Sequence, residues 1–122
     1  MGRHVLVIED EPNIVEAIRF ILIRDGWEVS ALTDGAGAEE AIRRHRPDVV
    51  ILDVMLPGRS GFEILAALRA DAATQTLPVL MLTARGQGRD RAEAERIGAS
   101  RFISKPFSNA EILASVRDLA GA

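Results

Sequence analysis

The sequence contains no cysteine, which excludes a disulfide framework, a thiolate nucleophile and a cysteine metal site. It also lacks any apolar run approaching the roughly 20 residues that a membrane-spanning helix needs. The formal net charge is −3, and the basic residues form no stripe of the kind that binds nucleic acid. We therefore expect no contact of this chain with a membrane or with nucleic acid.

Lysine is almost absent as well, because Lys105 is the only lysine among the fifteen Lys and Arg residues. It lies in Ser104-Lys105-Pro106, directly after the short apolar run Phe102-Ile103. One explanation is chance, because an arginine-rich composition can leave a single lysine anywhere in the sequence. The alternative is a functional requirement, because lysine and arginine are not interchangeable where a point charge must reach a phosphoryl group in a tight site.

The length of 122 residues, with 48% apolar and 27% charged residues, fits one soluble domain spanning residues 1–122. No stretch typical of a signal peptide precedes Val5, and Leu6 stands where a myristoylation motif needs Ser or Thr. We therefore expect a cytoplasmic protein. The sequence shows no internal repeat or linker, and we expect no effector or DNA-binding domain in this chain.

Five short apolar runs alternate with helix-like stretches along the chain. Three of the runs are continuous and rich in Val, Ile and Leu, as expected for strands that are covered on both faces. Strict alternation of strands and helices predicts an α/β fold, with a parallel sheet and helices on both of its sides. The five predicted strands are residues 5–8, 29–32, 49–52, 79–82 and 102–103.

The helix-like stretches have apolar residues at helical spacing. The first contains one stripe that is predicted to face the core, formed by Ile14, Ala17, Ile18, Ile21 and Leu22. Gly26 then marks its end, and Ser108 with Glu111 forms a capping-box pattern at the start of the last helix. The stretch 86–98 has Ile97 as its only large apolar residue, which predicts a helix of low local stability.

Four of the five predicted strands are followed by polar residues that we consider as candidates for a functional site. They are Glu9, Asp10 and Glu11 after the first, Asp53 after the third, Thr83 after the fourth and Lys105 after the fifth. Ligands of open parallel sheets bind outside the carboxyl ends of the strands, so we expect these side chains to converge. A carboxylate in such a place is also commonly a turn former, and Asp10 or Glu11 could cap a helix that begins at Pro12. Convergence from four strand ends favours a functional site.

The charges predict the chemistry of this site. Adjacent carboxylates in a dry cleft repel, so they either share a proton or bind a cation. Because the ligands are oxygens with no His or Cys nearby, the favoured cation is Mg²⁺, with Mn²⁺ as the alternative. A metal held by Asp10 and Asp53 could bind a phosphoryl group, with Asp53 as the nucleophile. Lys105 would neutralise charge and Thr83 would donate a hydrogen bond, whereas Glu11 is expected to point away.

These residues lie in motifs that resemble the receiver domain of bacterial two-component response regulators, and the resemblance covers essentially the whole chain. The motifs are Glu9-Asp10, Leu52-Asp53-Val54-Met55-Leu56-Pro57-Gly58 with Gly61, Leu82-Thr83-Ala84-Arg85 and Lys105-Pro106-Phe107. The single-domain, chemotaxis-regulator type is the one expected. The resemblance implies a flavodoxin-like (βα)5 doubly wound sandwich, whose five-stranded parallel sheet has the order 2-1-3-4-5.

The same resemblance implies a role for each residue of the site. Asp53 would accept a phosphoryl group from a histidine kinase or a histidine phosphotransfer protein. Mg²⁺ would be held by Asp10, Asp53 and the main-chain carbonyl of Met55, with Glu9 acting through water. The implied ligands of the phosphoryl group are Thr83, the backbone N–H of Ala84 and Lys105.

The resemblance further implies that phosphorylation is transmitted through Thr83 and Phe102. Their rearrangement would alter the face formed by the fourth helix, the fifth strand and the fifth helix, and would thereby regulate a downstream partner protein. An ordinary core role for Phe102 is the alternative. The Lys105-Pro106 bond is expected to be cis, as the resemblance implies.

Two departures from relatives predict properties of this chain. Met55 and Arg85 flank the expected path of the attacking water, and the apolar Met55 leads us to hypothesise slow self-dephosphorylation. Members of the winged-helix transcription-factor group pair acidic residues and an arginine across a dimer face, but here Ser100, Arg101 and Ser115 hold those places. We expect a monomer, or a weak dimer through that face. The chain is not expected to be a conventional enzyme, beyond catalysing its own phosphorylation and slow dephosphorylation.

Other hypotheses remain open at this point. An isolated receiver piece of a longer transcriptional regulator would keep the same chemistry. A Mg²⁺-dependent phosphohydrolase that forms an aspartyl phosphate would need a second acid at the place of Met55. A flavin-binding module is disfavoured because the acidic run 9–11 would repel the flavin phosphate. A P-loop is excluded because Gly-x4-Gly-Lys does not occur.

Overall fold

The computed structural model describes residues 3–83 and 88–121, in which five strands and five helices alternate. The strands are β1 (Arg3–Ile8), β2 (Trp27–Leu32), β3 (Val49–Asp53), β4 (Val79–Thr83) and β5 (Arg101–Ser104). The helices are α1 (Pro12–Arg24), α2 (Ala38–His45), α3 (Gly61–Ala70), α4 (Gly88–Ile97) and α5 (Asn109–Leu119). The predicted α/β class and the predicted alternation are both confirmed.

The strands form one parallel sheet in the order β2-β1-β3-β4-β5, as predicted. Val5 in β1 lies opposite Val29 on one side and Val49 on the other, which fixes the register of the three strands. Asp53, the last residue of β3, lies opposite Leu82 in β4. The carboxyl ends of β1, β3, β4 and β5 therefore meet at one edge of the sheet.

The core consists of two layers, one on each face of the sheet. Leu6 and Ile8 of β1 face the layer under α2, α3 and α4, whereas Val5 and Val7 face the layer under α1 and α5. Every residue of β3 and β4 is buried. Burial on both faces explains why these strands are continuous apolar runs and do not alternate with polar residues.

The first helix buries Val15, Ile18 and Leu22. The predicted apolar stripe was therefore wrong at its margin, because Ala17 is exposed and Val15 contributes to the core in its place. The helix ends at Arg24, and Gly26 beyond it has φ +93°, a left-handed conformation that glycine adopts without strain. None of the helices in the described residues has the length and apolar character that crossing a membrane requires.

The helices differ in how firmly the sequence fixes their ends. Ser108 and Glu111 form the predicted capping box at the start of α5, and Ser60 with Glu63 forms another at the start of α3.

The fourth helix is sparsely buried. Of the ten residues of α4, Ala94 is the one that is buried. Such sparse burial agrees with the prediction of a weakly packed fourth helix.

Candidate active site

The candidate active site lies at the carboxyl-terminal edge of the sheet, where backbone hydrogen bonds join the strand ends. Asp53 ends β3 and Thr83 ends β4, so each is the last residue of its strand and not the first residue beyond it. The Val54 N–H donates to the Leu82 carbonyl at 2.9 Å, and the Lys105 N–H donates to the Thr83 carbonyl at 2.7 Å. These bonds fix the relative positions of the strand ends that carry the functional side chains.

Three carboxylates meet at this edge. Glu9, Asp10 and Asp53 each offer one oxygen, and these oxygens all lie within 4.8 Å of one another. Glu9 and Asp53 are buried, with relative exposures of 0% and 2%, whereas Asp10 is exposed at the mouth of the site. The backbone N–H of Glu11 donates to Glu9 Oε2 at 3.1 Å, and a backbone hydrogen bond from Met55 reaches Asp53.

The ammonium of Lys105 neutralises part of this negative charge. Its Nζ lies 3.0 Å from Glu9 Oε1, 3.1 Å from Glu11 Oε1 and 3.3 Å from Asp53 Oδ1. The expectation that Glu11 points away from the site was therefore wrong. Glu11 occupies the N-cap position of α1 without a side-chain capping bond, which leaves its carboxylate able to contact Lys105.

Burial sets the proton affinities of the cluster. It raises the pKa of Glu9 from 4.5 to about 7, against the opposing effects of the Glu11 N–H and of Lys105. Burial also raises the pKa of Asp53, although Lys105 opposes the shift. Burial alone would lower the pKa of Lys105, but the carboxylates, Glu9 first among them, hold it above its ordinary value. The site therefore stores electrostatic repulsion that a cation would relieve.

The donor set fits a hard divalent cation. Among the described residues, Glu9 Oε1 has no hydrogen-bond partner despite being buried, since Lys105 approaches it as an ion pair without hydrogen-bond geometry. Buried polar atoms normally have a partner, so this oxygen indicates an electrostatic site that is incomplete without a further ligand. Carboxylate and carbonyl oxygens are the ligands that Mg²⁺ prefers.

An open cleft of ≈ 480 Å³ lies beside the cluster, and its lining includes Asp10, Met55 and Arg59. Met55 lies at its mouth with 71% of its surface exposed. The Arg59 guanidinium forms two hydrogen bonds with the Glu39 carboxylate, at 2.6 and 3.0 Å. Arg59 is therefore paired with Glu39 and does not neutralise the site. In the described part of the chain, Lys105 is the cation that contacts the buried carboxylates.

Two contacts from α4 were missed by the sequence analysis. The Thr83 hydroxyl donates to Asp90 Oδ2 at 3.0 Å, and the Arg91 guanidinium lies 5.1 Å from the centre of the Phe102 ring. Thr83 and Phe102 are both buried. Neither contact has a sequence signal, because Asp90 and Arg91 look like the solvated charges of any polar helix.

Other predicted features have separate outcomes. The Lys105-Pro106 bond is cis, as expected. Ala84 and Arg85 lie outside the described residues. At the expected dimer face, Ser100 Oγ accepts from the Val79 N–H at 3.0 Å and Arg101 pairs with Asp118 at 2.5 Å.

Comparisons with known proteins identify the family of this chain. The family model described as "Response regulator receiver domain" matches residues 5–117. The transcriptional regulatory protein TcrX of Mycobacterium tuberculosis is 43% identical over 94% of this chain and 48% of its own length. The chain spans about half the length of the curated relatives it matches.

Solved structures show the same architecture. The BeF3-activated N-terminal receiver domain of Klebsiella pneumoniae RstA has a TM-score of 0.90 at 30% identity, over 98% of this chain and 100% of that chain. The receiver domain of the sensor histidine kinase PA1611 of Pseudomonas aeruginosa, with a magnesium ion in its active site cleft, has a TM-score of 0.90 at 28% identity over the whole of both chains. The protein belongs to the response regulator receiver domain family of two-component signalling.

Proposed function

We propose that this domain is a phosphorylation-dependent switch in which Asp53 accepts a phosphoryl group from a histidine kinase or a histidine phosphotransfer protein. A bond forms between an Asp53 oxygen and phosphorus as the phosphorus–nitrogen bond of the phosphohistidine breaks, and the electron pair stays with the imidazole nitrogen. The observation that carries the proposal is the buried Asp53 carboxylate, whose Oδ1 lies 3.3 Å from Lys105 Nζ and which clusters with Asp10, a residue that lines an open cleft.

The remaining residues of the site have matching roles in the proposal. Lys105 neutralises the charge of the phosphoryl group, which brings further negative charge to a site that already holds three carboxylates. The Thr83 hydroxyl and the Ala84 N–H are proposed to donate to its oxygens. Positioning and charge neutralisation supply most of the catalysis in such transfers, so no additional acid or base is required.

Mg²⁺ is the proposed cofactor, with Mn²⁺ as a substitute. Asp10, Asp53 and the Met55 carbonyl would hold it, with Glu9 acting through water. When bound, the ion supplies charge neutralisation between the carboxylates and the incoming phosphoryl oxygens. The oxygen donor set and the raised pKa of Glu9 support this assignment, as does the magnesium ion in the PA1611 receiver domain.

The output is proposed to pass through the α4-β5-α5 face to a downstream protein in the cytoplasm. Thr83 ends β4 beside the site and Phe102 lies in β5, with α4 contacting both. We propose that these contacts carry the signal from the site to the surface. A monomer, or a weak dimer through this face, remains the proposed state.

A second candidate is favoured by the length of the relatives. TcrX, which is described as a "Probable transcriptional regulatory protein", is about twice as long as the part that matches. This chain can therefore also be the receiver of a longer regulator. The switch chemistry is then the same and the output is a DNA-binding segment. A phosphohydrolase is disfavoured, because the thioether of Met55 cannot serve as a second acid.

The proposal is tested by intact mass after incubation with acetyl phosphate and Mg²⁺. We expect a single phosphoryl adduct on the parent protein, none on Asp53→Asn, and none when a chelator removes the metal. Asp10→Asn is the comparison that separates metal binding from acceptance, since it should slow phosphorylation while leaving the acceptor in place. An adduct on Asp53→Asn, or no adduct on the parent with any small phosphodonor, would refute the proposal.

Met55 is predicted to slow hydrolysis of the phosphorylated state. A thioether at the mouth of the cleft accepts hydrogen bonds only weakly, so it orients an attacking water poorly. Met55→Asn is expected to shorten the phosphorylated lifetime about fivefold, the equivalent of one hydrogen bond of about 1 kcal/mol. Loss of the adduct mass with time gives the rate. Met55→Leu is the control, and an equal acceleration by Leu would contradict the prediction.

A further inference from the structure

We propose that Asp90 is a positioning residue that holds the Thr83 hydroxyl away from the phosphoryl site while Asp53 is unphosphorylated. The inference rests on the proposed function and concerns the regulation of that site. Asp90 lies in the first turn of α4, and its carboxylate accepts a hydrogen bond from Thr83 at the end of β4.

The Asp90 contact competes directly with phosphoryl binding. A hydroxyl has a single proton, and the Thr83 hydroxyl donates it to Asp90 Oδ2 at 3.0 Å. An aspartyl phosphate offers only acceptor oxygens, so Thr83 must donate to it if it is to bind it at all. Donation to Asp90 and donation to the phosphoryl group therefore exclude each other.

The hydrogen bond joins α4 to the end of β4, so a shift of the first turn of α4 separates Asp90 from Thr83. Ala94 is buried in this helix, and Ile97 at its end is partly buried against the core. The first turn therefore lies away from the residues that pack α4 onto the domain. Phosphorylation is thereby coupled to movement of α4, because a ligand shifts a two-state equilibrium by its differential affinity for the two states.

Removing the Asp90 contact should therefore strengthen binding of a phosphoryl analogue. We expect Asp90→Ala to bind beryllofluoride with Mg²⁺ about fivefold more tightly than the parent, because the competing hydrogen bond is gone. Titration followed by ¹H–¹⁵N spectra of the full chain gives the dissociation constants of the parent and of the variant.

Matched variants separate this role from a general effect on α4. Asp90→Asn keeps an acceptor oxygen and should restore most of the parent affinity. Glu93→Ala removes a carboxylate of the same helix that pairs with Arg96 at 2.6 Å, and it should leave the affinity unchanged. In a Thr83→Ala background, Asp90→Ala should have no effect, because the donor that Asp90 holds is absent.

The outcomes distinguish failure of this inference from failure of the proposed function. If the parent does not bind beryllofluoride at all, the proposed switch chemistry fails with it. If the parent binds but Asp90→Ala binds equally or more weakly, the Asp90–Thr83 hydrogen bond does not oppose phosphorylation and the inference is overturned. It is also overturned if Asp90→Ala tightens binding equally with and without Thr83.

Discussion

Replacing Lys105 with Met is expected to lower the free energy of unfolding by about 3 kcal/mol at pH 8 in metal-free buffer, the usual cost of removing one partner from a buried ion pair. The side chain of Lys105 is 11% exposed and contacts two carboxylates that are almost fully buried, those of Glu9 and Asp53. Without the ammonium, no cation among the described residues contacts the carboxylates of Glu9 and Asp53 or the neighbouring Asp10.

The loss should depend on pH in a direction fixed by Glu9. Its folded pKa of about 7 lies above its unfolded value of 4.5, so its contribution to stability is fully present below about pH 4.5 and is lost as pH rises through about 7. Asp53 shifts in the same direction. In Lys105→Met the carboxyls take up protons more readily, so the difference from the parent should shrink to about 1 kcal/mol at pH 5.5.

Urea unfolding at pH 5.5 and pH 8 with a chelator present measures this difference. Glu11→Gln is the control, since this exposed carboxylate contacts the same ammonium and is expected to change stability by less than about 0.5 kcal/mol. Glu9→Gln should flatten the pH dependence of the parent. A Lys105→Met deficit of the same size at both pH values would mean that lost packing, and not uncompensated charge, causes it.

Much of the fold could be predicted because its signals are local. Continuous apolar runs mark strands with two buried faces, and both β3 and β4 have this character throughout. The capping box of Ser108 and Glu111 fixed the start of α5 in the same way. The stripe of α1 was less certain, because Ala17 fits either a core or a surface position at helical spacing.

The site was predictable only as far as strand ends determine it. A parallel sheet brings Asp53, Thr83 and Lys105 to one edge whatever their rotamers are, so their convergence follows from topology. The contacts of Glu11 and Asp90 depend on where flexible side chains turn after the backbone is placed. Glu11 contacts Lys105, and Asp90 contacts Thr83. Both contacts depend on the local packing and charge around the side chain, which the spacing of apolar residues in the sequence does not encode.

Substituting Gly61 with Ala is expected to destabilise the domain by about 3 kcal/mol or more, because the new methyl group would overlap backbone atoms. An ideal Cβ on Gly61 would lie 2.1 Å from the Asp53 carbonyl oxygen and 3.0 Å from the Val54 Cα. The Gly61 N–H also donates to the Val54 carbonyl at 2.8 Å, so the start of α3 cannot move away without losing that bond.

The same substitution should impair the site, since relief of the overlap must shift the end of β3 that positions Asp53. We expect beryllofluoride to bind about tenfold more weakly to folded Gly61→Ala, a misplacement cost of about 1.4 kcal/mol. Thermal unfolding and beryllofluoride titration measure the two effects. Gly37→Ala is the control, because an added Cβ at the start of α2 meets nothing within 4 Å. A Gly61→Ala protein as stable as Gly37→Ala would show that β3 and α3 separate without cost, and that the rigidity inferred for the position of Asp53 does not exist.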